Sequence, residues 1–132
     1  MPILNVKVSA RPSAELVKTI SQRLLELTAR ILRKNADLTA ITIDFVAPEH
    51  WIVGGRSLVE HGKKSFYFDI KVVDGANTKD EKAQYIAEAF AAFAEILGDL
   101  HPESYIYVQD VRGEAYGFGG QTQEYRYIKA KI

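Results

Sequence analysis

The residue with the most distinctive chemistry is Pro2, which stands directly behind the initiator methionine and heads the strand-like stretch ILNVKV. Proline has no backbone N–H to donate in a sheet and is tolerated at the first residue of a strand. One interpretation is therefore that Pro2 only begins a strand. A small second residue also generally permits an aminopeptidase to remove Met1, which leaves Pro2 as a free secondary amine. An α-amine titrates near about 7.7 to 8.0, and burial beside cations lowers its pKa. Pro2 is therefore predicted to be a base that transfers protons at neutral pH.

Two short motifs each join an aromatic residue to a pair of glycines. They are WIVGG at 51–55 and YGFGG at 116–120. Packing in the core is one interpretation of their aromatic side chains. The alternative is an apolar wall, formed by Trp51, Tyr116 and Phe118, that removes water from the amine.

These motifs belong to an internal repeat that runs through most of the chain. ILNVKV at 3–8 matches YFDIKV at 67–72, which lies 64 residues later. ITIDFV at 41–46 matches IYVQDV at 106–111, which lies 65 residues later. The strands alternate apolar and polar residues, and apolar residues at helical spacing lie between them. Each copy is therefore predicted to fold as strand, helix, strand.

A strand, a crossover helix and a second strand of this length form a parallel pair with a right-handed connection. The sequence thus predicts an α+β fold, a duplicated βαβ unit with a four-stranded mixed sheet and two helices on one face. The helices are expected at about 13–34 and 79–97. The whole of 1–132 is predicted to be a single domain, with pseudo-repeats at about 2–55 and 66–120 and a C-terminal strand segment.

The sheet face away from the helices is predicted to be polar, which suits a wet face or the channel of an oligomer. The segments after each second strand are expected to add short strands to the sheet edge of a neighbouring subunit. An oligomer is therefore predicted.

Composition excludes several classes of function. The 132 residues carry 17 basic and 17 acidic side chains, so the basic excess of a nucleic-acid-binding protein is absent. There is no cysteine, and His50, His61 and His101 show no metal-ligand spacing, so no metal site is expected. No apolar stretch is long enough to span a bilayer and no signal peptide precedes Pro2, so a cytoplasmic protein without membrane contact is expected.

Pro2, the doubled βαβ unit, KNADLTAITIDFV before the first aromatic-glycine motif and YGFGG near the end together resemble the tautomerase superfamily. Its members include 4-oxalocrotonate tautomerase and macrophage migration inhibitory factor (MIF), and the resemblance covers nearly the whole chain at the fused, two-unit size. It implies the tautomerase/MIF-like fold, a homotrimer with sites near subunit boundaries, and cofactor-free keto–enol chemistry on a small carboxylate-bearing enol or 2-keto acid. Phe66 stands where the second copy would carry its proline, so one amine base per chain is expected.

The resemblance also implies that cations hold the substrate carboxylate. Arg11 follows the first strand, where the 4-oxalocrotonate branch has an arginine one residue further on. The arginine guanidinium can donate two parallel hydrogen bonds to a carboxylate. The alternative is that Arg11 is a solvated turn residue. Lys34 lies in a turn that is similar to the lysine-bearing turn of the MIF branch, so it outranks Arg33. The alternative for both is a favourable interaction with a helix end.

Two rival functions remain open. The first is the haloacrylate dehalogenase or hydratase branch, which uses a protonated proline, an arginine pair in the turn after the third strand and an acidic residue. Residues 73–77 form that turn here and include no arginine, although Glu114 resembles the acidic position with an offset of one residue. The second is a non-enzymatic oligomeric binding module with the same fold.

Overall fold

The computed structural model describes residues 2–132. In chain order its strands and helices are β1 (Ile3–Val8), α1 (Ala14–Ile31), β2 (Ala40–Phe45), β3 (Ile52–Val53), β4 (Arg56–Ser57), α2 (Leu58–His61), β5 (Phe66–Val73), α3 (Lys79–Leu97), β6 (Tyr105–Val111), β7 (Gly117–Phe118), β8 (Gln121–Thr122) and α4 (Gln123–Lys131).

The main sheet is mixed and has the strand order β2-β1-β5-β6. Strands β1 and β2 are parallel, as are β5 and β6, and the two pairs meet through the antiparallel β1–β5 ladder. Asn5 pairs with Asp69 near the middle of that ladder. The two βαβ units are therefore related by an approximate two-fold axis, so the beginning of β1 and the end of β5 share one edge of the sheet. The predicted fold class is confirmed.

The core lies between one face of the sheet and the two long helices. Alternate strand residues point into it because side chains of a strand alternate between faces, and the helices contribute residues at helical spacing. The rings of Phe66 and Phe93 stack at its centre with centroids 3.9 Å apart. Its buried members are Leu4, Val6, Val8, Ile20, Leu24, Leu27, Ile31, Leu32, Phe66, Phe68, Ile70, Val72, Tyr85, Ala89, Ala92 and Phe93.

The bounds of the two long helices follow from local backbone chemistry. Helix α3 occupies the predicted range, and Thr78 and Glu81 cap its first turn reciprocally. Helix α1 ends at Ile31, three residues before its predicted end. Arg33 has a φ of 58°, a left-handed conformation that stops a helix.

The predicted strand segment at the C-terminus is wrong. After the short β7–β8 hairpin, residues Gln123–Lys131 form the helix α4. The Thr122 side chain accepts a hydrogen bond from Tyr125 N at 2.9 Å, which caps the first turn. Glutamine, glutamate, arginine, lysine and alanine in QEYRYIKAK favour a helix over a strand.

No helix within residues 2–132 combines the length and the apolar character that crossing a bilayer requires.

Candidate active site

Pro2 is buried at one edge of the sheet, immediately before β1. Its carbonyl oxygen accepts a hydrogen bond from Ala40 N at 3.1 Å, which ties it to the beginning of β2. Ile3 pairs with Lys71 of β5, so the next position of that ladder sets Pro2 beside Val72. The predicted removal of Met1 concerns a residue outside the described range.

Lys34 lies at the same edge because α1 runs back along the sheet before β2 begins. Its backbone N–H donates to the Thr28 carbonyl at 3.3 Å, which holds the turn against the end of α1. Burial lowers the pKa of Lys34, the Arg33 charge lowers it further, and Glu81 opposes both. Arg33 itself forms an ion pair with Glu81 at 2.8 Å. Of the two neighbouring cations, Lys34 is therefore the one without a carboxylate partner among the described residues.

Tyr116 also reaches the Pro2 edge. Its hydroxyl oxygen accepts a hydrogen bond from the backbone N–H of Ile3, the residue next to Pro2. Burial raises the pKa of Tyr116, while this hydrogen bond and the nearby Lys71 charge lower it. The phenol therefore remains protonated at neutral pH.

Arg11 lies at the other end of β1. Six strand residues separate its turn from Pro2, and at about 3.3 Å per residue they span roughly 20 Å. Its Nη2 binds both carboxylate oxygens of Glu49, at 2.8 and 3.1 Å, and this lowers the pKa of Glu49. Arg11 and Pro2 are therefore not brought together within one chain.

Trp51 is likewise at the edge opposite Pro2. It lines a cavity of about 560 Å³ together with His61, His101, Glu103 and Tyr105. The two imidazole rings meet edge to face with centroids 4.9 Å apart. In a single chain Trp51 cannot remove water from the Pro2 amine, so that predicted role requires a second subunit.

Phe118 supports a residue that the sequence analysis missed, Arg126 of α4. The Arg126 guanidinium lies 4.5 Å from the centroid of the Phe118 ring, and its Nε donates to the Phe118 carbonyl at 3.2 Å. Arg126 also lines a cavity of about 670 Å³, with walls from the end of β5 and from α4.

The internal repeat contained a signal for Arg126. His61 Nε2 donates to the Val53 carbonyl at 2.8 Å. Arg126 and Phe118 each lie 65 positions after this pair, and they make the corresponding contact. Extending the repeat past its glycine pairs would have identified the position, although not the change from imidazole to guanidinium.

The remaining candidates do not form a metal centre. Residues 2–132 contain no group of three or more histidine, aspartate or glutamate side chains placed to share a metal ion. Glu114, the acidic residue of the hydratase hypothesis, contacts Arg112 at 3.4 Å.

Comparison with solved structures identifies proteins of the same fold. The structure of Pt0534 inactivated by 2-oxo-3-pentynoate superposes with a TM-score of 0.81, at 15% identity over 94% of this chain and 98% of that one. A wild-type asymmetric trimer of F6 fused 4-OT gives a TM-score of 0.78 at 19% identity, over 94% and 98% of the two chains. A MIF-like protein from Entamoeba histolytica gives 0.74 at 18% identity, over 92% and 97%.

These likenesses confirm the tautomerase/MIF-like fold and the fused, two-unit size that the sequence predicted. No family model matches the sequence, and no curated protein does.

Proposed function

We propose that this chain is a cofactor-independent keto–enol tautomerase that uses the Pro2 amine, after removal of Met1, as its general base and acid. The observation that carries the proposal is the burial of Pro2 at the sheet edge where Lys34 and the Tyr116 hydroxyl also lie. Burial and nearby cations disfavour the charged form of an amine. They therefore favour the neutral form, which is the state that can accept a proton.

The proposed reaction moves one proton and needs no other reagent. The Pro2 nitrogen takes the hydroxyl proton of the enol, which leaves an enolate. As the oxygen electrons form the carbonyl double bond, the electrons of the carbon–carbon double bond take the proton from the Pro2 ammonium at the neighbouring carbon. Substrate and product have the same atoms and charge, so the enzyme acts only as a proton carrier.

Lys34 and Tyr116 are assigned supporting roles. Lys34 is a candidate to bind the substrate carboxylate, because it has no carboxylate partner among the described residues. The protonated phenol of Tyr116 can stabilise negative charge that develops on the enol oxygen. A 2-keto acid substrate agrees with the inactivation of Pt0534 by 2-oxo-3-pentynoate.

A homotrimer would supply what one chain lacks. Fused 4-OT forms trimers, and here Tyr105 and Tyr107 leave more than half of their surface exposed on the sheet face away from the helices. In such an assembly Arg11 and Trp51, which do not reach Pro2 of their own chain, would complete the Pro2 site of a neighbouring subunit.

The test combines intact mass with ketonisation of phenylenolpyruvate by wild type and Pro2→Ala. We expect a chain without Met1, and a lower rate in the variant, because a flexible primary amine replaces the ring-held secondary amine of proline. Pro48→Ala is the matched control and should retain the wild-type rate. Activity that is unaltered in Pro2→Ala would refute the proposal. Hydration of a haloacrylate without ketonisation would favour the hydratase, and an inactive trimer would favour the binding module.

A further inference from the structure

Arg126 differs from every other arginine within residues 2–132 because it has no carboxylate partner. The other six form ion pairs, namely Arg11 with Glu49, Arg23 with Glu95, Arg30 with Glu26 and Glu88, Arg33 with Glu81, Arg56 with Glu60, and Arg112 with Glu114. An arginine that is held in place without an internal anion retains its charge for an external one.

The Arg126 side chain is held in place by contacts that leave its charge uncompensated. Its Nε donates to the Phe118 carbonyl, and the guanidinium lies against the Phe118 ring. Gly119 allows this close approach, since a Cβ there would lie 2.8 Å from Arg126 Nη2. Neither Nη1 nor Nη2 has an acceptor among the described residues, so both can bind one carboxylate as a fork.

The cavity that Arg126 lines is close to Pro2. Its walls include Val73, one residue beyond the β5 position that lies beside Pro2. A spacing of about 4.8 Å between strands and a rise of about 3.4 Å per residue place the backbones of Pro2 and Val73 about 6 Å apart. One wall of the cavity therefore lies one strand position from Pro2, which is not itself among the lining residues.

The same walls carry two carboxylates, Asp74 and Glu124, and the ring of Tyr127. One guanidinium can bind one substrate carboxylate, whereas a second carboxylate in the cavity would face like charge. The aromatic ring suits an apolar remainder. On the basis of the proposed function, we propose that Arg126 binds the carboxylate of a monocarboxylate enol with an apolar substituent, and that the cavity discriminates against dicarboxylates.

Calorimetric titration with trans-cinnamate and its uncharged amide, cinnamamide, tests the carboxylate contact without requiring turnover. Arg126→Met should weaken cinnamate binding roughly tenfold or more, since charge-assisted hydrogen bonds are lost, and should leave cinnamamide binding unchanged. Arg126→Lys should fall between, because it keeps the charge and loses the fork. Arg112→Met is the matched control and should bind as wild type. Equal cinnamate affinity in wild type and Arg126→Met, or no binding to wild type, would overturn the inference.

Selectivity is tested with trans-4-carboxycinnamate, which adds a second carboxylate to the same ring. Wild type should bind it more weakly than cinnamate, and Asp74→Asn should reduce the difference. Tighter binding of the dicarboxylate to wild type would contradict the proposed substrate class. Should Arg126→Met disturb α4, visible by circular dichroism, Phe118→Leu offers a second test: it keeps the guanidinium but removes the ring, and should weaken cinnamate severalfold. Unchanged affinity in Phe118→Leu would then count against the inference.

Titration of Pro2→Ala separates this inference from the proposed function. Cinnamate binding to this variant should still depend on Arg126, because Pro2 does not take part in the carboxylate contact. Ketonisation that requires Pro2, with binding indifferent to Arg126, would sustain the function and refute the inference. Binding that requires Arg126, without ketonisation by any variant, would do the reverse.

Discussion

The hydroxyl groups of Tyr85 and Thr28 lie 2.8 Å apart and join the two long helices inside the core. Both side chains are fully buried, so neither hydroxyl can exchange this hydrogen bond for one with bulk water. It brings a turn of α1 and a turn of α3 into a fixed register above the sheet.

We expect Tyr85→Phe to reduce the free energy of unfolding by about 1–2 kcal/mol, because it leaves the Thr28 hydroxyl buried without a partner. Thr28→Val with Tyr85→Phe should be more stable than the sum of the single changes predicts, since both polar groups are then gone. Urea denaturation of the four proteins measures this coupling. Strict additivity would mean that the hydroxyls do not stabilise each other.

The same phenol predicts a loss of stability at high pH. Burial raises the pKa of Tyr85 from 10.0 to about 12, although its hydrogen bond with Thr28 acts in the other direction. The folded state thus holds this proton more tightly than the unfolded state. The contribution of the protonated Tyr85 phenol to the free energy of unfolding is fully present below about pH 10 and is lost as the pH rises towards 12. Denaturation midpoints between pH 9 and 12 should fall more steeply in wild type than in Tyr85→Phe.

The separation of Arg11 from Pro2 predicts complementation between subunits. Arg11→Met and Pro2→Ala should each lose most ketonisation activity. If each site combines Pro2 of one subunit with Arg11 of the next, co-refolding equal amounts should produce about one competent site in four, because each of the two requirements is met half the time. Activity that stays at the level of the separate variants would show that Arg11 does not serve a neighbouring site.

Lys34 predicts a pH-dependent KM. Because burial lowers the pKa of Lys34 from 10.5, its charge is lost at a lower pH than that of an exposed lysine. KM for phenylenolpyruvate should therefore rise as the pH approaches this lowered pKa. Lys34→Arg, which stays charged, should give a flat profile over the same range. An identical rise in that variant would assign the titration to another group.

Alternation within strands and helical spacing between them determined the fold of this protein. ILNVKV and YFDIKV present one apolar face each, and the helices that follow have one apolar stripe each, so a two-layer arrangement buries both. The capping residues Thr78 and Glu81 even set the first turn of α3. These are local signals, which is why they could be read without coordinates.

Only the tertiary structure decided which candidates share an edge of the sheet. The antiparallel β1–β5 ladder brings the end of β5 beside Pro2, and the chain after β6 returns Tyr116 to Ile3. The same topology sends Arg11 and Trp51 to the opposite edge. The role of Arg126 depends on contacts with Phe118 and Gly119 and on the lack of an acidic partner. The relations along the sheet edge arise between segments distant in sequence, so no local pattern records them.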